Sequence, residues 1–122
     1  MPYDPQNVFA RILRGEIPCR KVHEDEWSLA FHDINPLAPV HVLVIPKGSY
    51  VSMADFTAQA SDAELAGFFR AVGQVARDLG LEDGGYRMLA NTGAAANQEV
   101  PHLHVHLFAG APLGPMLRKV VA

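Results

Sequence analysis

The run Pro101-His102-Leu103-His104-Val105-His106-Leu107-Phe108 places a histidine at every second position between apolar residues. Imidazole titrates near neutral pH, so one ring can attack, donate and accept within a single reaction cycle. Successive side chains of a strand point to opposite faces. His102, His104 and His106 therefore share one face, and Leu103, Val105 and Leu107 share the other. Three chemistries compete for such a face. The first is a plain set of satisfied or solvated histidines, costly to bury unless every ring nitrogen finds a partner. The second is a metal site. His102 and His106 would lie ~13 Å apart on a strand rising ~3.3 Å per residue, whereas zinc–nitrogen bonds are only ~2 Å. One ion cannot take all three, although two alternate histidines with His41 or a carboxylate could hold zinc. The third is attack on phosphorus by a neutral ring. An acceptor holds one nitrogen and fixes the tautomer, the other nitrogen carries the lone pair, and neighbouring rings donate to the phosphoryl oxygens. Three histidines at this spacing favour the third.

These side chains need a sheet beneath them and a helix behind it. The apolar side of the strand, about residues 100–108, can pack on an amphipathic helix. Leu65, Phe68, Phe69, Val72, Val75, Ala76 and Leu79 form one stripe over residues 62–79. Ser61 and Glu64 make a capping-box pair before it, and Gly80 ends it. A short helix follows Asp4-Pro5, with Asp4 as N-cap, Pro5 at the first helical position and Gly15 as the stop. Residues 21–24 and 27–33 read as strands joined at Glu24-Asp25-Glu26. Residues 41–45 and 86–91 read as two more, and 94–97 as a loop. Five strands and two helices with short connections give an α+β domain with an antiparallel sheet. The last residues, about 109–122, carry apolar side chains, two prolines and two glycines, and suit a tail lying along a surface.

Composition narrows the function classes. A chain of 122 residues, 49% apolar and 19% charged, suits one globular domain, residues 1–122. One cysteine cannot close an internal disulfide or build a cysteine-rich zinc site. The apolar runs are too short for a bilayer, and no leader pattern opens the chain, so a cytoplasmic protein without a membrane partner is expected. A net charge of −3 gives no general attraction to nucleic acid. Any phosphate must be held by local geometry.

The heptad from His102 to Phe108 matches the motif His-φ-His-φ-His-φ-φ, and the chain resembles the histidine triad (HIT) superfamily over most of its length. The blocks Phe9-Ala-Arg-Ile-Leu-Arg-Gly-Glu-Ile-Pro18, Ala30-Phe-His-Asp-Ile-Asn-Pro36, Ala38-Pro-Val-His41, Val44-Ile-Pro46 and Gly85-Tyr-Arg-Met88 are similar to the histidine triad nucleotide-binding (HINT) branch. Pro112-Leu-Gly-Pro-Met-Leu117 resembles bacterial members of it. The resemblance implies the HIT-like fold and a homodimer whose two five-stranded sheets join into ten strands, with the C-terminal tail along the dimer surface. It implies purine nucleoside monophosphates and phosphoramidates as ligands and phosphoramidate hydrolysis through a covalent nucleotidyl-histidine, with no cofactor required. Related alternatives are a dinucleoside polyphosphate hydrolase and a nucleotide-binding scaffold with vestigial activity.

Residue roles follow from the same resemblance. His104, the middle of the triad, takes the position of the nucleophile. His106 matches the histidine whose backbone carbonyl orients the nucleophile and whose side chain reaches phosphate. His102 matches the first triad histidine, and His41 the upstream histidine bonded to it. Phe31, Asp33 and Ile34 match the nucleoside pocket, with Asp33 at the ribose and Ile34 over the base. Asn91 falls near the sugar and phosphate. The phosphate loop is Asn97-Gln98-Glu99-Val100, with asparagine where the family has glycine. Asparagine tolerates a left-handed φ better than most residues. Glu99 stands where some members carry a serine that can protonate the leaving amine. Pro101 replaces a frequent aromatic, as in the polyphosphate hydrolase branch.

Overall fold

The computed structural model describes residues 2–121. Strands β1 (Lys21–Glu24), β2 (Ser28–His32), β3 (Val40–Pro46), β4 (Arg87–Leu89) and β5 (Val105–Ala109) form one antiparallel sheet in the order β1-β2-β3-β5-β4. Helices α1 (Val8–Leu13), α2 (Met53–Gln59) and α3 (Asp62–Asp78) complete the α+β fold. No helix among the described residues is long and apolar enough to cross a membrane.

Helix α3 forms where its capping box and stripe require it. The Ser61 side chain accepts from the Glu64 amide, and the Glu64 carboxylate accepts from the Ser61 amide. Phe68, Ala71, Val72, Val75 and Ala76 are its buried positions, spaced i, i+3, i+4, i+7 and i+8. The first four meet Ala30, Val42, Val44, Val105 and Leu107 of the sheet and Leu103 just before β5. Phe69, expected in the stripe, is one position off it and 44% exposed. The helix lies close to Trp27 at Gly67, where a Cβ would sit 2.2 Å from Trp27 Cδ1. Alanine's better helix propensity there, ~1 kcal/mol, cannot offset a clash with atoms near the base of a ring. Gly67→Ala is expected to lower the unfolding free energy by about 1–2 kcal/mol, read by urea titration.

The opposite face holds a second cluster of Phe9, Leu29, Phe31, Leu43 and Ile45 under α1. Several boundaries differ from the sequence expectation. The N-cap of α1 is Asn7, whose side chain accepts from the Ala10 amide, while Asp4 closes a turn by accepting the Gln6 amide. Pro5 therefore lies in that turn and not at the first helical position. Helix α2 was not expected. It has one buried side chain, Phe56, so it shows no stripe, and it starts at a Ser52/Asp55 capping box. The last strand begins at Val105 and not near residue 100, so His102 and His104 precede the ladder. Residues 94–97 hold a single 3-10 turn at Ala94–Ala96 that ends on Asn97 in the left-handed region, φ 56°. In the tail, the Arg87 guanidinium donates to the Gly114 carbonyl at 2.9 Å, while Met116, Leu117, Val120 and Val121 are exposed.

Candidate active site

Sheet register places the site. His41 lies opposite Phe108 and Leu43 opposite His106, so these four side chains share the face of the second cluster. Phe9 from α1 stands edge-on to Phe31, His102 and His104, with ring centroids 5.5, 6.3 and 5.0 Å away. Beyond Phe9, the His104 and His106 rings are 4.9 Å apart and those of His41 and His106 are 5.2 Å apart. Asp33 follows β2, with Oδ2 3.4 Å from His41 Nε2. Its other oxygen accepts the Asn35 amide.

Partners that can act in only one way fix the tautomers. The Leu37 amide donates to His41 Nδ1 at 3.1 Å, so the His41 proton sits on Nε2. From there it is donated to His106 Nδ1 at 2.9 Å, which leaves the His106 proton on Nε2. His104 Nδ1 lies 2.7 Å from the His102 carbonyl, which can only accept. Nδ1 therefore carries the proton, and Nε2 of His104 carries the lone pair. His102 Nε2–H donates to the Pro46 carbonyl at 2.8 Å, and His102 Nδ1 accepts from the Tyr3 hydroxyl at 2.6 Å.

Burial keeps these rings neutral. It lowers His102 and His106 to about 4, with the neighbouring His104 and His41 rings adding to the effect on His106. His41 and His104 move in the same direction for the same reason, opposed by Asp33 at both and by Glu99 at His104. The result is an unprotonated nitrogen on His104 beside an N–H on His106, a lone pair next to a donor, at neutral pH.

The decisive comparison is over the length of the chain. A family model described as the HIT domain matches residues 14–113. The chain belongs to the HIT domain family. It is 69% identical over 117 residues to a 13.2 kDa HIT-like protein of Azospirillum brasilense, across 96% of each chain. It is 39% identical over 112 residues to the purine nucleoside phosphoramidase of Escherichia coli (strain K12), across 92% of this chain and 93% of that one. A HIT family hydrolase from Clostridium thermocellum matches with a TM-score of 0.80 at 40% identity, over 93% of this chain and 97% of that one.

Within this HIT domain the expected residues do not all converge. His41, His104, His106 and Asp33 come together. Two expected contacts are corrected. His41 bonds His106 and not His102, because antiparallel register puts His41 at the Phe108 end of β5 and His102 at the Pro46 end of β3. The carbonyl that holds His104 is that of His102 and not of His106, which lies in the β5 ladder. The His102 ring is fully buried against Tyr3 and Pro46, and its carbonyl accepts from His104 Nδ1.

Phe31 is buried below the site, while Ile34 is 92% exposed in the loop after β2. Asn91 is half-buried in the connection after β4, and Asn97 is exposed. Gln98, expected to contact substrate, spends its side chain on the loop. It donates to the Val51 and Val100 carbonyls and accepts the Gly93 amide. Glu99 is exposed, and Val100 packs against the second cluster. Sequence reasoning missed Tyr3, the Leu37 amide and the edge-on Phe9. Phe9 alone had a signal, its helical spacing with Ile12 and Leu13.

Asp33, His41 and His106 also offer ligand atoms within 4.8 Å of one another. Their hydrogen bonding does not suit a metal. An ion on His41 Nε2 would leave the ring proton on Nδ1, facing the Leu37 N–H that already points there. His41 Nε2 and His106 Nδ1, at 2.9 Å, are spaced to share a proton.

Proposed function

We propose that this HIT protein hydrolyses purine nucleoside phosphoramidates through a covalent nucleotidyl-His104 intermediate, without a metal or cofactor. The observation that carries the reading is the His104 ring, its Nδ1–H held by the His102 carbonyl and its Nε2 lone pair free. His104 Nε2 attacks the α-phosphorus, an N–P bond forms, and the P–N bond to the amine breaks. The amine departs with a proton from solvent at the loop that carries Glu99. The imidazolium formed at His104 is stabilised by the His102 carbonyl, and His106 Nε2–H donates to a phosphoryl oxygen. Water then attacks phosphorus and releases a proton to solvent, the N–P bond breaks, and the nucleoside monophosphate and neutral His104 are released.

The residues around the triad suit a nucleotide. Asp33 Oδ2 keeps lone pairs for the ribose hydroxyls, and Ile34, exposed in the loop after β2, is free to cover a base. In this reading the loop held by Gln98 gives the Glu99 and Val100 amides to the phosphate, and Asn91 serves the sugar. The purine preference and the P–N bond rest on the likeness to the E. coli phosphoramidase. We further read the unit as a homodimer in the cytoplasm. Its join is at the edge strand β4, where Met88 and the preceding Tyr86 are exposed, with the apolar tail alongside.

Turnover of adenosine 5′-phosphoramidate and diadenosine triphosphate, each with and without EDTA, tests the reading. The phosphoramidate is expected to be cleaved with a kcat/KM at least about tenfold higher, unchanged by EDTA. Preference for diadenosine triphosphate would make the protein a polyphosphate hydrolase. Tight AMP binding with negligible turnover of both would make it a nucleotide-binding scaffold. Loss in EDTA restored by zinc would overturn the metal-free site.

A further inference from the structure

The carbonyl that orients His104 belongs to a stretch outside the sheet. The β5 ladder starts at Val105, and the Leu103 amide, bonded to the Tyr50 carbonyl at 2.7 Å, is the backbone tie between His102 and that ladder. What else fixes His102 is its own ring, fully buried and engaged at both nitrogens. Nε2–H is donated to the Pro46 carbonyl, and Nδ1 accepts the Tyr3 hydroxyl at 2.6 Å, from a residue 99 positions away in the chain. The two rings also meet edge-on, with centroids 5.5 Å apart.

Tyr3 is itself held. Asp4 accepts the Gln6 and Asn7 amides, Asn7 caps α1, and Arg14 donates to the Pro5 carbonyl at 2.7 Å. The segment before α1 is thus tied down with its phenol aimed at the triad.

We propose that Tyr3 is a positioning residue for His104: it clamps the His102 ring against the Pro46 carbonyl and so holds in place the carbonyl that orients the nucleophile. The inference rests on His104 being the nucleophile. Without the phenol, His102 Nδ1 becomes a buried acceptor with no partner. It recovers one only by admitting water or turning the ring, and turning carries Nε2–H away from the Pro46 carbonyl. Either change moves the backbone at His102. The partners of the His102 ring, Tyr3 and Pro46, are not among the groups assigned to the nucleotide, so binding is spared.

The test is Tyr3→Phe, which keeps the ring and removes the hydroxyl. The single-turnover rate of His104 nucleotidylation is expected to fall about three- to tenfold, the worth of one neutral hydrogen bond. KM and AMP affinity stay within about twofold, because the interaction lost is absent from substrate binding. A rate equal to the unsubstituted protein, or an equal loss in AMP affinity, would overturn the proposal. Nitrogen NMR of the unsubstituted protein gives an answer that needs no variant. His102 should carry its proton on Nε2, with Nδ1 hydrogen-bonded as an acceptor, and a proton on Nδ1 would also overturn it. Turnover retained in His104→Ala would mean the nucleophile assignment has failed. An inactive His104→Ala beside an unimpaired Tyr3→Phe defeats the Tyr3 role alone.

Discussion

Replacing His104 with alanine or glycine is expected to cut turnover of adenosine phosphoramidate by about 10³-fold or more, with AMP affinity changed only a few-fold. The size of the loss follows from the tautomers. His41 and His106 carry protons on Nε2, and both nitrogens of His102 are engaged in a fully buried ring. None of these can present a lone pair at the position His104 vacates. Binding survives because the groups assigned to the nucleotide are separate from the attacking nitrogen: Asp33, Ile34, the loop amides and His106 Nε2–H. The substitution leaves the His102 carbonyl without its donor, which costs about 1–3 kcal/mol of stability. Steady-state kinetics and AMP calorimetry on a variant confirmed as folded separate the loss of attack from the loss of binding.

The second large effect is acid destabilisation. His102 is fully buried and neutral, with its pKa lowered by burial from 6.5 to about 4. Between those values the unfolded chain binds a proton that the folded chain does not, so stability rises with pH across this window. It is lost progressively as pH falls below about 6.5, and the loss is complete below about 4. For His102 the integrated effect is about 3 kcal/mol, at 1.36 kcal/mol per pKa unit. His106 is also lowered to about 4, but it is half-exposed and adds less. Against a typical unfolding free energy of ~5–15 kcal/mol this is a large fraction. Urea titrations between pH 7.5 and 4 should show that decline, and His102→Gln should flatten it despite a lower stability at pH 7. A flat profile in the unsubstituted protein would contradict a buried neutral His102.

The sequence carried the parts of this fold that repeat or punctuate. Alternation of Leu103, Val105 and Leu107 with three histidines put the histidines on one sheet face even where the ladder does not reach, because an extended chain alternates with or without a partner strand. Ser61, Glu64 and the stripe behind them announced α3. Helix α2 was silent because a single buried Phe56 makes no period. Asn97 adopts the left-handed conformation that asparagine tolerates better than most residues. Long-range pairing was the least legible. That His41 meets His106 depends on the β3–β5 register, set by residues far apart in sequence. Gln98 looked like a ligand contact, because the motif holds no sign that Val51 and Gly93 would take its amide. Tyr3 gave no pattern at all, since one aromatic before a turn has no spacing to read.

The central claim is that His104 becomes covalently bonded to the nucleotide. Intact-protein and peptide mass spectrometry of enzyme mixed with adenosine phosphoramidate and quenched in alkali, where N–P bonds persist, measures this directly. An adenylyl group on the peptide carrying His104, absent from His104→Ala, is the predicted result. An adenylyl group on another residue, or full turnover by His104→Ala, would contradict it.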